Sequence, residues 1–256
     1  MSESVVTPCW KLLLDQLERG EVRTAAQDQK GNWHADATVK QGILAAFPAG
    51  ELISFGPAYP GAIDKHNLSP RQFTPEDQIR LVPGGSAVRR GAYVAPGVVI
   101  MPPAYINIGA YVDSGTMVDS HVLVGSCAQI GKNVHLSAGV QIGGVLEPVG
   151  QTPVIIEDDA FIGAGCVIVE GMVVKKGAVL APGVTLSAAV AVYDLVNECQ
   201  LPKGAQIPEG AVVVPGSRPA NSEWGKKMGL SVQCPIIIKY RDDSSDASLV
   251  LEEALR

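Results

Sequence analysis

Aromatic side chains are scarce in this chain, at 5% of 256 residues against 46% hydrophobic overall. A core with so few rings must be filled by small aliphatic groups. Histidine is scarcer, at four. A three-histidine zinc site is therefore not expected, because only His121 and His135 fall in the repeat region described below. The five cysteines (Cys9, Cys127, Cys166, Cys199, Cys234) form no C-x-x-C pair. An odd, unpaired set suits reduced thiols in the cytoplasm. No run of 18 apolar residues exists to span a membrane. The opening MSESVVTPCWKLLLDQLERG lacks a basic start followed by an apolar run, so no secretory leader is expected. A net charge of -6 excludes a general nucleic-acid surface and leaves anionic ligands to a few local cations.

What the chain has instead is a rhythm. An aliphatic residue returns every six positions at Val88, Val94, Ile100, Ile106, Val112, Val118, Val124, Ile130, Leu136 and Ile142. The register resumes at Ile156, Ile162, Ile168, Val174, Leu180 and Leu186, with a fainter tail at Leu201, Ile207 and Val213. The gap from 142 to 156 reads as two hexads plus two. Four positions after each aliphatic residue stands a small or β-branched one, such as Ala104, Thr116, Ala128 and Cys166. Helices repeat every 3.6 residues and ordinary strands every 2, so neither explains a six. A triangular coil does: three flat six-residue sides make a turn, and turns stack at strand spacing. Glycine and asparagine suit corners with positive φ. Cys127 and Cys166 read as packed thiols at the small positions, and His135 as a surface or interface residue.

Before the coil, Pro8 and Gly20 frame a helix over CWKLLLDQLER, and a DQKG turn joins two short strands. Asp36 caps a second helix through ATVKQGILAAF, and 48–85 reads as irregular. After the coil, SVQCPIIIKYRDD suggests a strand and SLVLEEALR a short helix or frayed tail. The expected division is 1–85 as a small α/β cap, 86–215 as the β-helix, and 216–256 as a C-terminal extension.

The residues carry a more specific likeness. MPPAYINIGAYVDSGTMVDS, VGSCAQIGKNVHLSAGVQIGGVLEP and IIEDDAFIGAG closely resemble the tetrahydrodipicolinate N-succinyltransferase family. The likeness is strong from about Arg80 to Glu170. It is weaker in KGNWHADATVKQGILAAF, AVYD, IPEGAVVVPG and CPIIIKY. It implies a left-handed parallel β-helix, a homotrimer with sites between subunits, and an enzyme of lysine and diaminopimelate biosynthesis. Succinyl-CoA would be the donor, with acetyl-CoA as the other candidate, and an amino dicarboxylate the acceptor. No metal is implied.

By the same resemblance, Arg80 matches the arginine that binds the acceptor carboxylate, a task that suits a guanidinium fork. Asp119 matches the aspartate that holds the attacking amine and takes its proton. Asp113 lies one hexad earlier, at the equivalent corner. The family binds CoA toward its C-terminal coils, which makes Lys175, Lys176, Lys239 and Arg241 the phosphate candidates. One departure concerns chemistry. Where the family reads GARSEVVEG, this chain reads GAGCVIVEG, so the glutamate that assists transfer falls on Val167. Glu170, three residues on, is the remaining carboxylate of that face and the second catalytic candidate. The insertion 143–155 should leave the coil and reach a neighbour or shield a site. The departure keeps two alternatives: the same chemistry on another amino acid in a secondary-metabolite pathway of the tabtoxin type, or a non-catalytic trimeric binding protein.

Overall fold

A computed structural model describes residues 9–241; Pro8 and the SLVLEEALR tail lie outside the described residues. The chain forms a left-handed parallel β-helix of triangular section. Each side is a stack of two-residue strands whose second residue points inward. Ile100, Ile106, Val112, Val118, Val124, Ile130, Leu136 and Ile142 are all fully buried, as are Ile156 to Leu186 in the same register. The small residues four positions later join the same core. Rungs lie eighteen residues apart: Tyr111 pairs with Tyr93 below and Gln129 above.

The three sides differ in what covers them. One side stacks Tyr93–Val94, Tyr111–Val112, Gln129–Ile130, Ile155–Ile156 and Val173–Val174. The N-terminal residues lie over it, so it is the covered face. The next side, the long face, stacks Arg80–Leu81, Val99–Ile100, Met117–Val118, His135–Leu136, Phe161–Ile162 and Val179–Leu180. It continues into the antiparallel strands Ala211–Pro219 and Ser231–Tyr240. The third face stacks Ala87–Val88, Tyr105–Ile106, Leu123–Val124, Gln141–Ile142, Val167–Ile168 and Thr185–Leu186. Arg80–Leu81 already pairs with Val99–Ile100, so stacking reaches back into the segment expected to be irregular.

Several sequence expectations are corrected by this geometry. The stretch from 142 to 156 rounds one corner only, since Ile130 pairs directly with Ile156; the insertion is one hexad lengthened by eight residues. Glycines directly after the inward residue do not serve positive φ. A Cβ on Gly125 would sit 2.2 Å from Gly144 N and one on Gly163 2.6 Å from Pro182 N, so they permit close stacking of backbones. Positive φ falls two positions later, at Gly115, His121, Cys127, Asn133 and Gly139. Cys127 is therefore a corner residue, not one of the inward small positions. It packs outward against the cap core of Leu13, Leu14, Leu17 and Ile43, where burial pushes its thiol up to about 12.

The cap is built as its sequence suggests. Helix α1 (Trp10–Glu18) buries Leu13, Leu14 and Leu17 and ends before Gly20, at φ 71. Helix α2 (Ala37–Ala49) starts at Asp36, whose carboxylate accepts from Val39 N at 3.0 Å. Between them, β1 (Ala25–Gln27) and β2 (Trp33–Ala35) form an antiparallel hairpin. Lys40 of α2 is fully buried. Its Nζ donates to the carbonyls of Val145 at 2.6 Å and Gln151 at 2.5 Å, tying the insertion to the cap. Burial lowers the Lys40 pKa, and the two carbonyl dipoles compensate its charge.

Candidate active site

Side chains on the flat faces are held by stacking, so freedom for chemistry lies at the corners. Asp119 stands where the long face turns to the third face. Its backbone N–H donates to Leu136 O at 3.0 Å, and its Oδ1 accepts from Ser120 N at 2.7 Å. The second carboxylate oxygen has no partner among the described residues. Beside this corner is a shallow depression of about 270 Å³ lined by Gly85, Pro103, Tyr105, His121 and Leu123, among others. Arg80 is exposed; its backbone N–H donates to Val98 O at 3.0 Å, and its guanidinium has no hydrogen bond or ion pair among the described residues. It lies two strands below Met117 on the long face, by way of Val99. At strand spacing, that puts Arg80 and the Asp119 turn about 10 Å apart along the coil axis.

The other sequence candidates lie elsewhere. Asp113 makes the same local bond as Asp119, with Oδ1 accepting from Ser114 N at 2.7 Å. Its equivalence is local only: it follows a covered-face strand and so occupies a different corner of the triangle. Glu170 stands at the third corner, at φ 58, and its Oε2 accepts from Ala188 N at 3.0 Å. Val167 points out from the third face between Gln141 and Thr185 and is partly buried. The side chain there is neither inward nor enclosed.

Three of the four C-terminal cations gather where the covered face turns to the long face. Lys175 Nζ lies 2.9 Å from Glu157 Oε1 and 3.3 Å from Gly31 O. Arg241 Nη1 donates to Gly177 O at 3.1 Å. Lys176 reaches no closer than 3.7 Å to Asp159 and is more than half exposed. Lys239 is exposed two residues before Arg241, paired through its backbone with Val212. His135 is partly buried and stacks on Phe161 with ring centroids 4.9 Å apart. Among the described residues, no group of three or more His, Cys, Asp or Glu is placed to hold a metal ion. No helix there is long and apolar enough to cross a membrane.

Sequence reasoning missed the contacts between cap and coil. Arg23 Nε donates to Gln129 Oε1 at 2.9 Å, and its guanidinium lies 3.8 Å over the Tyr111 ring. Nothing in the EVRTAAQ stretch marks Arg23 out, because an isolated arginine just before a short strand has no periodic signal.

Two separate segments match family models. Residues 7–49 match one described as tetrahydrodipicolinate N-succinyltransferase N-terminal. Residues 153–188 match one described as the hexapeptide repeat of succinyl-transferase. A 2,3,4,5-tetrahydropyridine-2,6-dicarboxylate N-succinyltransferase of Nitrosococcus oceani is 43% identical over 99 residues. In these segments the chain is similar to the tetrahydrodipicolinate N-succinyltransferases. The Nitrosococcus alignment covers 37% of this chain and 35% of that relative, so the chain spans about a third of the curated protein it matches. A Campylobacter jejuni structure assigned as a 2,3,4,5-tetrahydropyridine-2-carboxylate N-succinyltransferase superposes with a TM-score of 0.55 at 17% identity. That superposition covers 89% of this chain and 62% of the other and supports the fold. The cap segment matches the tetrahydrodipicolinate model and the coil segment a succinyl-transferase repeat, which is more specific than a bare hexapeptide repeat.

Proposed function

We propose that this chain is an acyl-CoA-dependent N-acyltransferase that moves a succinyl group onto the amine of an amino dicarboxylate. The carrying observation is that Asp119 and Arg80 share the long face, Asp119 at its corner and Arg80 two strands below Met117. Those strands are about 10 Å apart along the coil axis, and they offer a carboxylate oxygen without a partner among the described residues and an exposed guanidinium. This is a spacing suited to an acceptor with an amine at one end and a carboxylate at the other.

The neutral amine attacks the thioester carbonyl carbon. Its proton passes to Asp119, the C–N bond forms, and the C–S bond breaks to release CoA as thiolate. Backbone N–H groups of a corner stabilise the oxyanion, and Arg80 grips the acceptor carboxylate through a bidentate fork. No covalent enzyme intermediate is needed. The C-terminal cations serve the CoA phosphates. Lys176 and Lys239 supply the ammonium groups, while Lys175 and Arg241, already bonded to Glu157 and Gly177 O, hold the corner's shape. Glu170 is the proposed second carboxylate, acting from its own corner across a subunit boundary.

The proposed assembly is a cytoplasmic homotrimer. Val99, Met117, Phe161 and Val179 form an outward row on the long face that one chain leaves half covered. Such a row is the usual mark of a subunit contact. In this reading 1–85 is the cap, 86–215 carries the transfer site, and 216–256 is a C-terminal extension whose strand Ser231–Tyr240 lengthens the long face.

The test is thiol release from succinyl-CoA and acetyl-CoA against tetrahydrodipicolinate and a panel of linear amino dicarboxylates. Release is expected with succinyl-CoA and at least one acceptor. No release above hydrolysis with any acceptor overturns the proposal. Light scattering should give three chain masses; a stable monomer would remove the shared site.

A further inference from the structure

We propose that the cleft between the cap hairpin and the coil binds a small zwitterion of the α-amino acid class, at a site separate from Asp119 and Arg80. The cleft has a volume of about 300 Å³ and is lined by Arg23, Trp33, Asp113, Lys132 and Asp158, among others. That is the lower end of the range for small-molecule pockets.

Its inner wall is a guanidinium held ready. Arg23 lies over Tyr111 at 3.8 Å and near Trp33 at 5.4 Å, and Nε is fixed by Gln129. These contacts set the plane of the group and leave both terminal nitrogens without a hydrogen bond or ion pair among the described residues. Burial lowers its pKa, but arginine keeps its charge in proteins. A partly buried cation without an anionic partner is costly and is normally matched. Lys132 and Lys176 add two ammonium groups to the lining; Lys132 enters no ion pair among the described residues, and Lys176 lies 3.7 Å from Asp159.

The opposite sign is present in the same small volume. Asp113 uses one oxygen on Ser114 N, and Asp158 one on Lys132 N at 2.8 Å; neither enters an ion pair. Glu157 differs, being occupied by Trp33 Nε1, Lys175 Nζ and Lys176 N. Asp113 and Asp158 are close enough to Arg23 to raise its pKa but do not reach ion-pair distance. The cleft therefore holds unmatched charge of both signs, separated by a gap. A simple anion placed there would meet Asp113 and Asp158, and a simple cation would meet Arg23. A ligand with a carboxylate and an ammonium a few ångströms apart answers both.

The test uses the full chain with L-glutamate, L-lysine and L-norleucine as probes, each beside its N-acetyl and α-amide forms. At least one free amino acid should raise the melting temperature and titrate by calorimetry with a Kd below about 1 mM. Its blocked forms should bind at least about tenfold more weakly, a difference of about 1.4 kcal/mol. Arg23→Gln should abolish binding. Because that change also loosens the hairpin, Lys132→Gln and Asp158→Asn are the second arm. Both should leave the unliganded melting temperature unchanged and weaken binding about fivefold or more. The proposal is overturned if none of the three probes binds, if a blocked form binds as well as its parent, or if Lys132→Gln and Asp158→Asn both bind like the wild type.

Discussion

Gln129 and Gln141 are the same residue in the same frame, each followed by an inward isoleucine and each pointing out from its face. Gln129 is 1% exposed. Its amide nitrogen donates to Thr24 Oγ1 at 2.9 Å and Cys127 O at 2.8 Å, while its oxygen accepts from Arg23. Gln141 is partly exposed and donates only to carbonyls of its own coil, His121 O and Gly139 O. The hexad repeat treats them alike; the cap does not. On the covered face the outward residues Gln129, Ile155 and Val173 are buried, while Tyr93 and Tyr111 are half-buried. On the long and third faces an outward residue is available for a neighbour or a substrate, which is where the proposed transfer site lies.

Substitutions at matched positions sharpen or break that contrast, measured as denaturant midpoints at one fixed protein concentration. Ile130→Ala, inward on the covered face, should cost about 2–5 kcal/mol through lost burial and the cavity left behind. A smaller loss than at an outward position would contradict the triangular core. At the coil's end, Asp194 is 2% exposed. Burial alone would raise its pKa. Donors from Asn197, the Tyr240 hydroxyl and the backbone N–H of Val196 outweigh burial and hold the carboxylate below its ordinary range. Asp194→Asn should cost about 1.5–3 kcal/mol, the scale of hydrogen bonds to a charged group. Because the folded pKa is the lower one, this contribution is full above the unfolded value of about 3.9 and lost as pH falls below it. A wild-type minus Asp194→Asn difference that grows on acidification would contradict the assignment.

Gln129→Ala should cost about 1–3 kcal/mol by leaving Arg23 Nε without its acceptor and removing the donor to Thr24 Oγ1. Gln141→Ala should stay within about 0.5 kcal/mol. Equal losses at the two glutamines would mean that the cap adds nothing to the covered face.

The inward register was legible in the sequence because a period of six has one cause, and each of its aliphatics from Val88 to Leu186 is buried. Asp36 and the DQKG turn were legible because capping and turn chemistry are local. Which face the cap would cover was not. Arg23, Thr24 and Trp33 reach residues more than 100 positions away, and no local pattern encodes that pairing. Cys127 is a different case: its offset of three from Val124 already makes it a corner residue, the small position being Ala128, and only its burial by the cap lay beyond the spacing. The limit of local pattern also explains Asp113 and Asp119. Their identical turns conceal that consecutive hexads occupy different corners. Of the proposed site, Arg80 and Asp119 were suggested by resemblance, and that both belong to the long face came only from strand order.

The most direct measurement is single-turnover thiol release by Asp119→Asn with succinyl-CoA and the best acceptor, beside CoA binding and light scattering on the same sample. Asparagine keeps the oxygen that accepts from Ser120 N and removes only the ability to take a proton. The account predicts an unchanged assembly, an unchanged CoA affinity and a rate lower by about 100-fold or more. An Asp119→Asn rate equal to the wild type would contradict it.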